Sequence, residues 1–353
     1  MKVIDFALCL FTDARDRERS ERAIHVLLHA LTCVACEWLS ENPTPWPADS
    51  QLFVATDNRK RARGRTWQDV SSIARAVRTP GGQASTAGLA CWRIAHEWHR
   101  GVDARPVLLH RGARAYEIAV RYPDGTIWRA PNAETYEFGG YRPIRIDVDL
   151  FQSEADRERS ERALHFFLHA LVCVDYEWLR YRPQTPALYT SGIRYEHEAP
   201  GQEEWQDIPT MLLAQNYQRK RTGDCEDLAC ARVAEDWRRR CVSRPYVRYR
   251  LLTMPDGRTQ MNLYHILSQR PDGTIEDPSK QLGMGAASAE AKFGLVGEAF
   301  DPNESASRVY RPGSHGPLLD CVGETRVITD GRWWETDVSG YVGPFLTRAE
   351  GCA

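Results

Sequence analysis

The chain has 353 residues, and 46 Lys and Arg against 48 Asp and Glu give it a formal net charge of −2 at pH 7. Such a balance gives no general case for a nucleic-acid partner, and no unbroken apolar run approaches the roughly 20 residues of a membrane span. The Arg-rich stretch at 59–63 is a local feature that is typical of a solvated loop. We therefore expect neither a nucleic-acid nor a membrane partner.

The ten cysteines are scattered and lie mostly inside apolar helical patterns. This distribution predicts free thiols in a reducing compartment rather than a disulfide framework. The first residues lack the charged region and small-residue cleavage site of a signal peptide, and they alternate as a strand does. We expect a cytoplasmic location, or a virion if a phage encodes the chain.

Hydrophobic periodicity predicts helices followed by strands in each half of the chain. The predicted helices are 15–39, 67–77, 155–179, 205–218 and 225–240. The predicted strands are 2–6, 246–252 and 262–267, with Pro-Asp-Gly turns at 255–257 and 271–273. A helical layer that leads into an antiparallel sheet predicts an α+β fold.

The chain repeats itself with a period of about 140 residues, which is typical of one domain rather than of a solenoid unit. Residues 16–34 and 156–174 are identical at fifteen of nineteen positions, and Pro-Asp-Gly-Thr-Ile occurs at both 123–127 and 271–275. A tandem duplication explains these matches. The predicted units are copy one, residues 1–140; copy two, residues 141–285; and a C-terminal extension with a hairpin, residues 286–353.

The string Gly-Asp-Cys-Glu-Asp at 223–227 opens the predicted helix of copy two, and His265 and Asp277 follow it in chain order. A thiol at a helix N-terminus lies beside unpaired N–H groups and the positive end of the helix dipole, which favour the thiolate. His265 would take up and return the proton, and Asp277 would fix the imidazole tautomer. The three residues are therefore a candidate catalytic triad.

Copy one lacks this chemistry. At an offset of 139 residues Cys225 corresponds to Thr86, and at an offset of 148 residues His265 and Asp277 correspond to Glu117 and Arg129. Thr86 offers no thiol, Glu117 no imidazole and Arg129 no orienting carboxylate. The packing residues around these positions are nevertheless repeated, so the chain contains its own comparison for a functional site.

Three residues near Cys225 are candidates for supporting roles. Gly223 would allow a tight turn into the helix, and Asp224 would cap it. The Cys225 backbone N–H is one natural oxyanion donor. The second donor is not assigned by the sequence; the polar residues upstream are Gln215, Asn216 and Gln218, of which Gln218 is preferred.

Other reactive residue types are better explained by packing. One helix carries a stripe of His25, His29, Cys33 and Cys36, and copy two repeats it as His165, His169 and Cys173. A single straight helix cannot place four ligands tetrahedrally around an ion, so we predict a buried face and no metal or cofactor. Cys230 is predicted as a core thiol because copy one keeps it as Cys91. The recurring tryptophans, also predicted as core, are Trp38, Trp67, Trp98, Trp178, Trp205 and Trp237.

The motifs around Cys225, His265 and Asp277 resemble those of the transglutaminase-like branch of the papain-type cysteine proteases. The resemblance covers roughly residues 155–285, with a degenerate echo over 16–131. It implies two tandem transglutaminase-like domains, with the Cys at a helix start and the His and Asp on neighbouring strands. It does not fix the reaction, because members of the family cross-link, hydrolyse peptides, remove glycans or lack catalysis.

Two longer strings, Gly-Asp-Cys-Glu-Asp-Leu-Ala-Cys and Pro-Asp-Gly-Thr-Ile-Glu-Asp-Pro-Ser, also resemble transglutaminase-like proteins encoded among tailed-phage structural genes. The functional expectation is a cysteine amidase or peptidase that acts on a protein or peptide amide and is carried by an assembly protein. The alternative is a structural component of a phage virion (tail, baseplate or connector) with a vestigial triad. In either case the C-terminal extension could contact other subunits.

Overall fold

A computed structural model describes most of copies one and two and one hairpin of the extension. The described residues are 2–13, 15–42, 45–46, 66–78, 83–131, 133–139, 143–150, 156–198, 203–216, 218–253, 259–284, 324–329 and 332–337. The Arg-rich stretch 59–63, the turn 255–257 and the rest of the extension lie outside them.

Copy one is a mixed α and β unit that begins with a strand and a long, mostly buried helix. Its elements in chain order are β1 (Lys2–Ala7), α1 (Arg17–Glu41), β2 (Thr66–Gln68), α2 (Val70–Arg78), α3 (Thr86–His99), β3 (Arg105–His110), β4 (Ala115–Arg121), β5 (Ile127–Trp128) and β6 (Thr135–Glu137).

Copy two repeats the succession of β1 to β5 with short additions and then continues with a short helix. Its elements are β7 (Ile144–Val148), α4 (Arg157–Tyr181), a 3-10 turn (Leu188–Thr190), β8 (Arg194–Tyr195), β9 (Glu204–Gln206), α5 (Ile208–Leu212), β10 (Thr222–Gly223), α6 (Cys225–Arg238), β11 (Arg244–Thr253), β12 (Thr259–Gln269), β13 (Ile275–Glu276) and α7 (Pro278–Gln281). In the extension, β14 (Glu324–Thr329) and β15 (Arg332–Asp337) form an antiparallel hairpin. Helices together with mainly antiparallel sheets make the chain α+β.

The antiparallel sheets of the two copies share one register. In copy one, β3 pairs with β4 and β4 with β5, and Val120 lies opposite Trp128. In copy two, β11 pairs with β12 and β12 with β13, and Ser268 lies opposite Glu276. Both pairs differ by the same 148 residues, so Glu117 and His265 occupy equivalent strand positions.

The two copies exchange their leading strands. A four-stranded sheet has the order β2-β7-β1-β9. In it β1 of copy one runs parallel to β9 of copy two, and β7 of copy two runs parallel to β2 of copy one. The exchanged strands pair antiparallel with each other, and Asp5 lies opposite Arg145, its own equivalent 140 residues later. Each copy therefore completes the sheet of the other.

Helices α1 and α4 pack against each other beside this sheet. Arg22 pairs with Glu177 at 3.0 Å, and Arg162 pairs with Glu37 at 2.5 Å. These two contacts are the same pair related by the duplication. The interface between the copies is thus nearly two-fold symmetric, in its ion pairs as in its strands.

By length and composition α1 could cross a membrane, since it contains an 18-residue window of mean hydropathy 1.5. The sequence of α1 has no unbroken apolar run of that length, because polar residues interrupt the apolar ones within the window. However, 83% of that window is buried inside the protein, as in the core helix of many folds, and one such helix is weak evidence for a membrane span.

Two helix predictions were wrong at their starts and one at its end. The Trp-Gln pairs at 67–68 and 205–206 belong to strands β2 and β9, because each tryptophan is fully buried in the sheet layer. The helix predicted over 205–218 is only α5. It starts after Asp207, whose side chain accepts the Thr210 N–H, and Ala214 just beyond it has a positive φ of 51°.

Candidate functional site

Cys225 is the first residue of α6, as predicted, and Asp224 precedes it at the N-cap. Asp227, one turn into the helix, fixes this start. Its carboxylate accepts the N–H of Gln206 at 2.7 Å and the N–H of Asp224 at 3.2 Å. The helix start that carries the thiol is therefore bound directly to strand β9, which itself pairs with β1 of copy one.

Gly223 lies in the short strand β10 rather than in a tight turn, so the role expected for it needs correction. A Cβ at this position would lie 2.5 Å from the Met211 sulfur and 3.0 Å from the Asp227 Cβ. The glycine is required by close packing at the entrance to α6, not by a left-handed backbone conformation.

His265 on β12 and Asp277 after β13 meet, with Nε2 of the imidazole 3.0 Å from Oδ2 of the carboxylate. Asp277 also caps α7, where its side chain accepts the N–H of Lys280 at 3.2 Å. Burial would raise the pKa of Asp277, but the hydrogen bond and charge of His265 and the Lys280 N–H outweigh it and lower that pKa. Asp277 is therefore an ionised partner that orients the imidazole.

The thiol of Cys225 lies against the strand that carries the histidine. Helix α6 packs on β12, and the backbone N–H of Ile266, the residue after His265, donates to the sulfur. The thiol itself donates to Oε2 of Glu226 at 3.0 Å. The fold thus brings the three predicted residues to one region between α6, β12 and the start of α7. A sulfur-to-imidazole distance within about 4 Å stays a prediction.

The protonation of Cys225 differs from the expectation of a helix-stabilised thiolate. Only 9% of the residue is exposed. Burial raises the pKa of the thiol well above its ordinary value, and the charges of Glu226 and Asp224 raise it further, against a lowering hydrogen bond from Ile266. Burial and the acids in the first helical turn therefore favour the protonated thiol over the thiolate at this helix start.

An acidic cluster lies at the start of α6, formed by Glu198, Asp224, Glu226 and Asp227, and the charges of Glu226 and Asp224 act on the thiol. Burial first, and then the neighbouring Glu226, raises the pKa values of Asp224 and Asp227 well above those of ordinary aspartates. The same causes raise the pKa of Glu198 to about 9. The sequence did not indicate Glu198, which is too distant from Cys225 in the chain for spacing to signal its place in the cluster.

Part of this cluster has the donor set of a cation site. Ligand atoms of Asp224, Cys225 and Glu226 lie within 4.8 Å of one another. Two carboxylates and a thiol are the residues here that could hold a divalent cation.

Gln218, the preferred second oxyanion donor, is engaged elsewhere. Its side-chain amide lies 3.2 Å from the Thr222 hydroxyl, and with the amide turned its nitrogen also reaches Glu196. Tyr195 is a site residue that the sequence did not indicate. It pairs with Gly223 in the β8–β10 ladder and is packed on the core that includes Cys225.

A charge network anchored on the buried Arg232 supports the strand that leads to Asp277. Glu276 accepts from Arg232 at 3.0 Å, from Arg270 at 2.8 Å and from the Tyr189 hydroxyl. Because Arg232 lies on α6 two turns after Cys225, this network binds the helix of the thiol to the segment of the carboxylate.

The equivalent residues of copy one also lie together but form a different arrangement. Thr86 is the buried first residue of α3, and its hydroxyl accepts the N–H of Glu134 at 3.0 Å. Glu117 pairs with Arg129 at 3.5 Å and with Arg111 at 2.9 Å. Copy one therefore has an ion pair where copy two has the imidazole and its carboxylate.

The other cysteines and histidines follow the packing interpretation. Cys91 and Cys230 make the same contact in each copy, to the carbonyls of Leu28 and Leu168 at 3.3 and 3.5 Å. Burial lowers the pKa of His25 to about 4, and its Nε2 lies 2.8 Å from the Pro106 carbonyl. The helical stripe is a buried face of neutral side chains.

Comparison with protein-family models, with curated proteins and with solved structures finds no match for this chain.

Proposed function

We propose that copy two is a transglutaminase-like cysteine acyl-transfer domain that attacks protein or peptide amides, with Cys225 as nucleophile. The observation that carries the proposal is the 3.0 Å contact between His265 and an ionised Asp277. His265 lies on β12, the strand against which the helix of the thiol packs. A carboxylate that fixes one ring nitrogen leaves Nδ1 as the nitrogen that exchanges a proton with a thiol.

In the proposed reaction the sulfur of Cys225 attacks the amide carbonyl carbon while its proton passes to His265. The carbonyl electron pair moves onto oxygen, and the Cys225 backbone N–H donates to the resulting oxyanion. Collapse breaks the C–N bond, and His265 returns the proton to the leaving amine. Water or a second amine then attacks the thioester and restores the thiol.

In the structure the thiol of Cys225 donates to Glu226 and not to His265, so in the proposed mechanism this is the inactive, resting state of the site. The thiol proton is held by a carboxylate that is itself 99% shielded from solvent, since Glu226 is 1% exposed. Activation requires the sulfur to leave Glu226 and turn toward His265. A substrate that neutralises or displaces Glu226 would favour this change.

Thiol labelling tests the proposal. Brief treatment of the native protein with iodoacetamide over a pH series, followed by mapping of the adducts, should find Cys225 modified. His265→Ala and Asp277→Asn should slow that modification at neutral pH, and Cys225→Ala should abolish release of nitrophenolate from p-nitrophenyl acetate.

Cys241 is the matched internal control, because it is the partly exposed cysteine of copy two and lies after α6. Its labelling should not respond to His265→Ala. Modification of Cys241 with Cys225 untouched at every pH would contradict a nucleophilic role for Cys225.

A structural role in a phage virion is the second candidate. The raised pKa of Cys225 favours it, since burial and the charges of Glu226 and Asp224 are what a vestigial site would retain. Such a role predicts that Cys225→Ala leaves assembly intact, because the change removes a nucleophile but little packing. Deletion of residues 286–353 should instead prevent assembly while Cys225 keeps its reactivity.

A further inference from the structure

The start of α5 is held by a buried carboxyl group that copy one lacks. Asp175 lies on α4 and is fully buried, and its Oδ1 accepts the backbone N–H of Ile208, the first residue of α5, at 2.7 Å. At an offset of 140 residues the equivalent position on α1 is Ala35, which is also buried and offers no acceptor. Copy one therefore forms the equivalent junction, from β2 into α2, without this hydrogen bond.

The side chain of Asp175 is costly to the fold. Its Oδ2 has no hydrogen-bond partner among the residues that the structure describes, and burying a polar atom without a partner is destabilising. Burial, and then the charge of Asp207, raise the pKa of Asp175 well above its ordinary value. Because copy one folds with alanine at the equivalent position, the framework itself does not require this acid. A role that only copy two performs would explain it.

The junction between β9 and α5 also holds the helix start that carries the thiol. Two residues before Ile208, the N–H of Gln206 donates to Oδ1 of Asp227 at 2.7 Å. The other oxygen of Asp227 accepts the N–H of Asp224 at 3.2 Å. Because Asp227 is fully buried, its carboxylate fixes the backbone of the first turn of α6 against this junction. The direction of the Cys225 backbone N–H depends on that turn.

Helix α5 also reaches the same helix start through a side chain. It packs on both α4 and β10, the short strand that leads into α6. The sulfur of Met211 on α5 occupies the space beside Gly223, where an added Cβ would lie 2.5 Å from it. A displacement of α5 would therefore be transmitted to β10, two residues before Cys225.

We propose that Asp175 is a positioning residue for Cys225, which fixes α5 and thereby holds the Cys225 backbone N–H in the direction of the oxyanion. This inference rests on the proposed function. Asp175 acts through Gln206 and Asp227 and not on the reacting atoms. The proposal explains why the acid is present in the copy with the candidate triad, while the other copy has Ala35.

Two reactions of the same thiol measure this positioning. Acylation of Cys225 by p-nitrophenyl acetate passes through a tetrahedral oxyanion, whereas alkylation by iodoacetamide displaces iodide directly and forms no oxyanion. For Asp175→Ala we expect the first-turnover acylation rate, corrected by that of Cys225→Ala, to fall by about tenfold. The alkylation rate of Cys225 should stay within about twofold of the wild-type rate, because it needs no oriented N–H donor.

Two further variants separate the hydrogen bond from packing. Asp175→Asn keeps an oxygen that accepts the Ile208 N–H, so its acylation rate should stay within about threefold of the wild-type rate. Asp175→Leu has the same branching as aspartate but no acceptor, and it leaves no cavity. Its acylation rate should fall as that of the alanine variant does.

Thr32→Val is the matched control from copy one. Thr32 is fully buried on α1, its hydroxyl donates to the Leu28 carbonyl at 2.8 Å, and the equivalent residue of copy two is Val172. This variant therefore also removes a buried hydrogen bond that only one copy has. It should change neither the acylation nor the alkylation rate of Cys225.

The proposal is overturned if the alanine and leucine variants acylate at the wild-type rate, or if the asparagine variant loses as much as they do. An equal fall in acylation and alkylation would overturn it as well. If neither the alanine nor the leucine variant folds, Asp175 serves stability and the positioning role is refuted.

The proposed function fails in a different way. If wild-type Cys225 is never acylated by p-nitrophenyl acetate, both proposals fall. If wild-type Cys225 is acylated and Asp175→Ala acylates at the same rate, only the role of Asp175 is lost.

Discussion

Copies one and two share one arrangement of helices and strands but carry different side chains at the three positions of the candidate site. In both, the third helix packs on the second strand of the antiparallel sheet, and the same register brings two further positions together. Copy one places Thr86, Glu117 and Arg129 there, and copy two places Cys225, His265 and Asp277. The comparison shows that the framework assembles these three positions whatever side chains they carry.

The paired positions on the sheet have opposite polarity in the two copies. In copy one the strand carries the acid, Glu117, and the residue after the turn is the base, Arg129. In copy two the strand carries His265, and the acid, Asp277, follows the turn. Either order can stabilise the sheet edge as a charge pair, but only an imidazole exchanges protons near neutral pH.

The helix starts differ as much as the sheet positions. Copy one reads Ser85-Thr86-Ala87-Gly88, where copy two reads Asp224-Cys225-Glu226-Asp227. In copy one the Ser85 hydroxyl caps the helix, and a Cβ at Gly88 would lie 2.4 Å from the Gln68 carbonyl. In copy two the Asp227 carboxylate fills that position and binds the strand itself. Three acids therefore appear together with the thiol.

The largest expected effect comes from giving copy two the charge pair of copy one. The double variant His265→Glu, Asp277→Arg should keep the sheet edge but lose proton transfer, so acylation of Cys225 by p-nitrophenyl acetate should fall by about 10²–10⁴-fold. The reciprocal variant of copy one, Glu117→His with Arg129→Asp, is the control and should leave acylation unchanged. Acylation that survives the swap in copy two would remove His265 from the mechanism.

The strand exchange is tested by truncating the equivalent buried tryptophan in each copy to alanine. Trp67 and Trp205 are both fully buried, one in β2 and one in β9. Replacement of either by Ala should lower the free energy of unfolding by about 3–5 kcal/mol. Because each strand pairs with the leading strand of the other copy, both variants should shift one common transition in thermal or denaturant unfolding.

The matched control for this pair is Leu213→Ala, since Leu213 is 53% exposed and should have little effect. Two separate unfolding transitions, each moved by only one of the tryptophan variants, would show that the copies fold independently.

Much of the framework could be predicted from the sequence, because packing residues repeat wherever the fold requires them. The helices that became α1, α4 and α6 were found from their apolar spacing, and the equivalence of Glu117 and His265 from a Pro-Asp-Gly turn. The strand exchange could not be predicted, because a strand pattern does not name its partner. Strands β2 and β9 have only three residues each, which is too short for periodicity to distinguish a strand from the start of the helix that follows.

The candidate site was predictable in its reactive residues but not in their electrostatics. Chain order and helix position indicate Cys225, His265 and Asp277, whereas the protonation of the thiol depends on acids whose side chains point inward. Glu198 and Tyr195 arrive from loops and short strands, where spacing carries no signal of what a side chain faces.

Removal of the acid that holds the thiol should give an intermediate effect. In Glu226→Gln the carboxylate that accepts the thiol proton becomes a neutral amide, so the pKa of Cys225 should fall. A fall of one unit corresponds to about a tenfold rise in thiolate, and we expect iodoacetamide to label Cys225 about tenfold faster at pH 7.5. Copy one has the uncharged Ala87 at this position, so the variant makes the start of α6 more similar in charge to the start of α3.

Cys241 in the same sample serves as the control for this rate. Burial and Asp236 raise its pKa, and Glu226 is not among the charges that act on it, so its labelling should be unchanged. A rate for Cys225 that stays constant or falls would mean that Glu226 assists the thiol rather than holding it.

The last expected effect appears only as a difference between two pH values, in the pH dependence of stability. Burial and the neighbouring Glu226 raise the pKa of Glu198 in the folded chain to about 9, from an ordinary value of 4.5. A raised folded pKa stabilises the fold fully below the unfolded pKa, and this contribution is lost as pH rises from about 4.5 through about 9. Glu198→Gln carries no such proton, so its melting temperature should exceed that of the wild type by more at pH 8.5 than at pH 5.

Glu196→Gln is the matched control, because Glu196 lies two residues away and pairs with Lys220 at 2.7 Å on a more exposed edge of the same segment. Surface pairs of this kind contribute about 0–1 kcal/mol, so the difference from wild type should stay nearly constant over the same pH range. If the melting temperature of Glu198→Gln minus that of the wild type became smaller as pH rises, the pKa of Glu198 would be lowered by folding and not raised. Glu198 would then be charged in the folded protein, and Glu226, which accepts the thiol proton, would face one more negative charge.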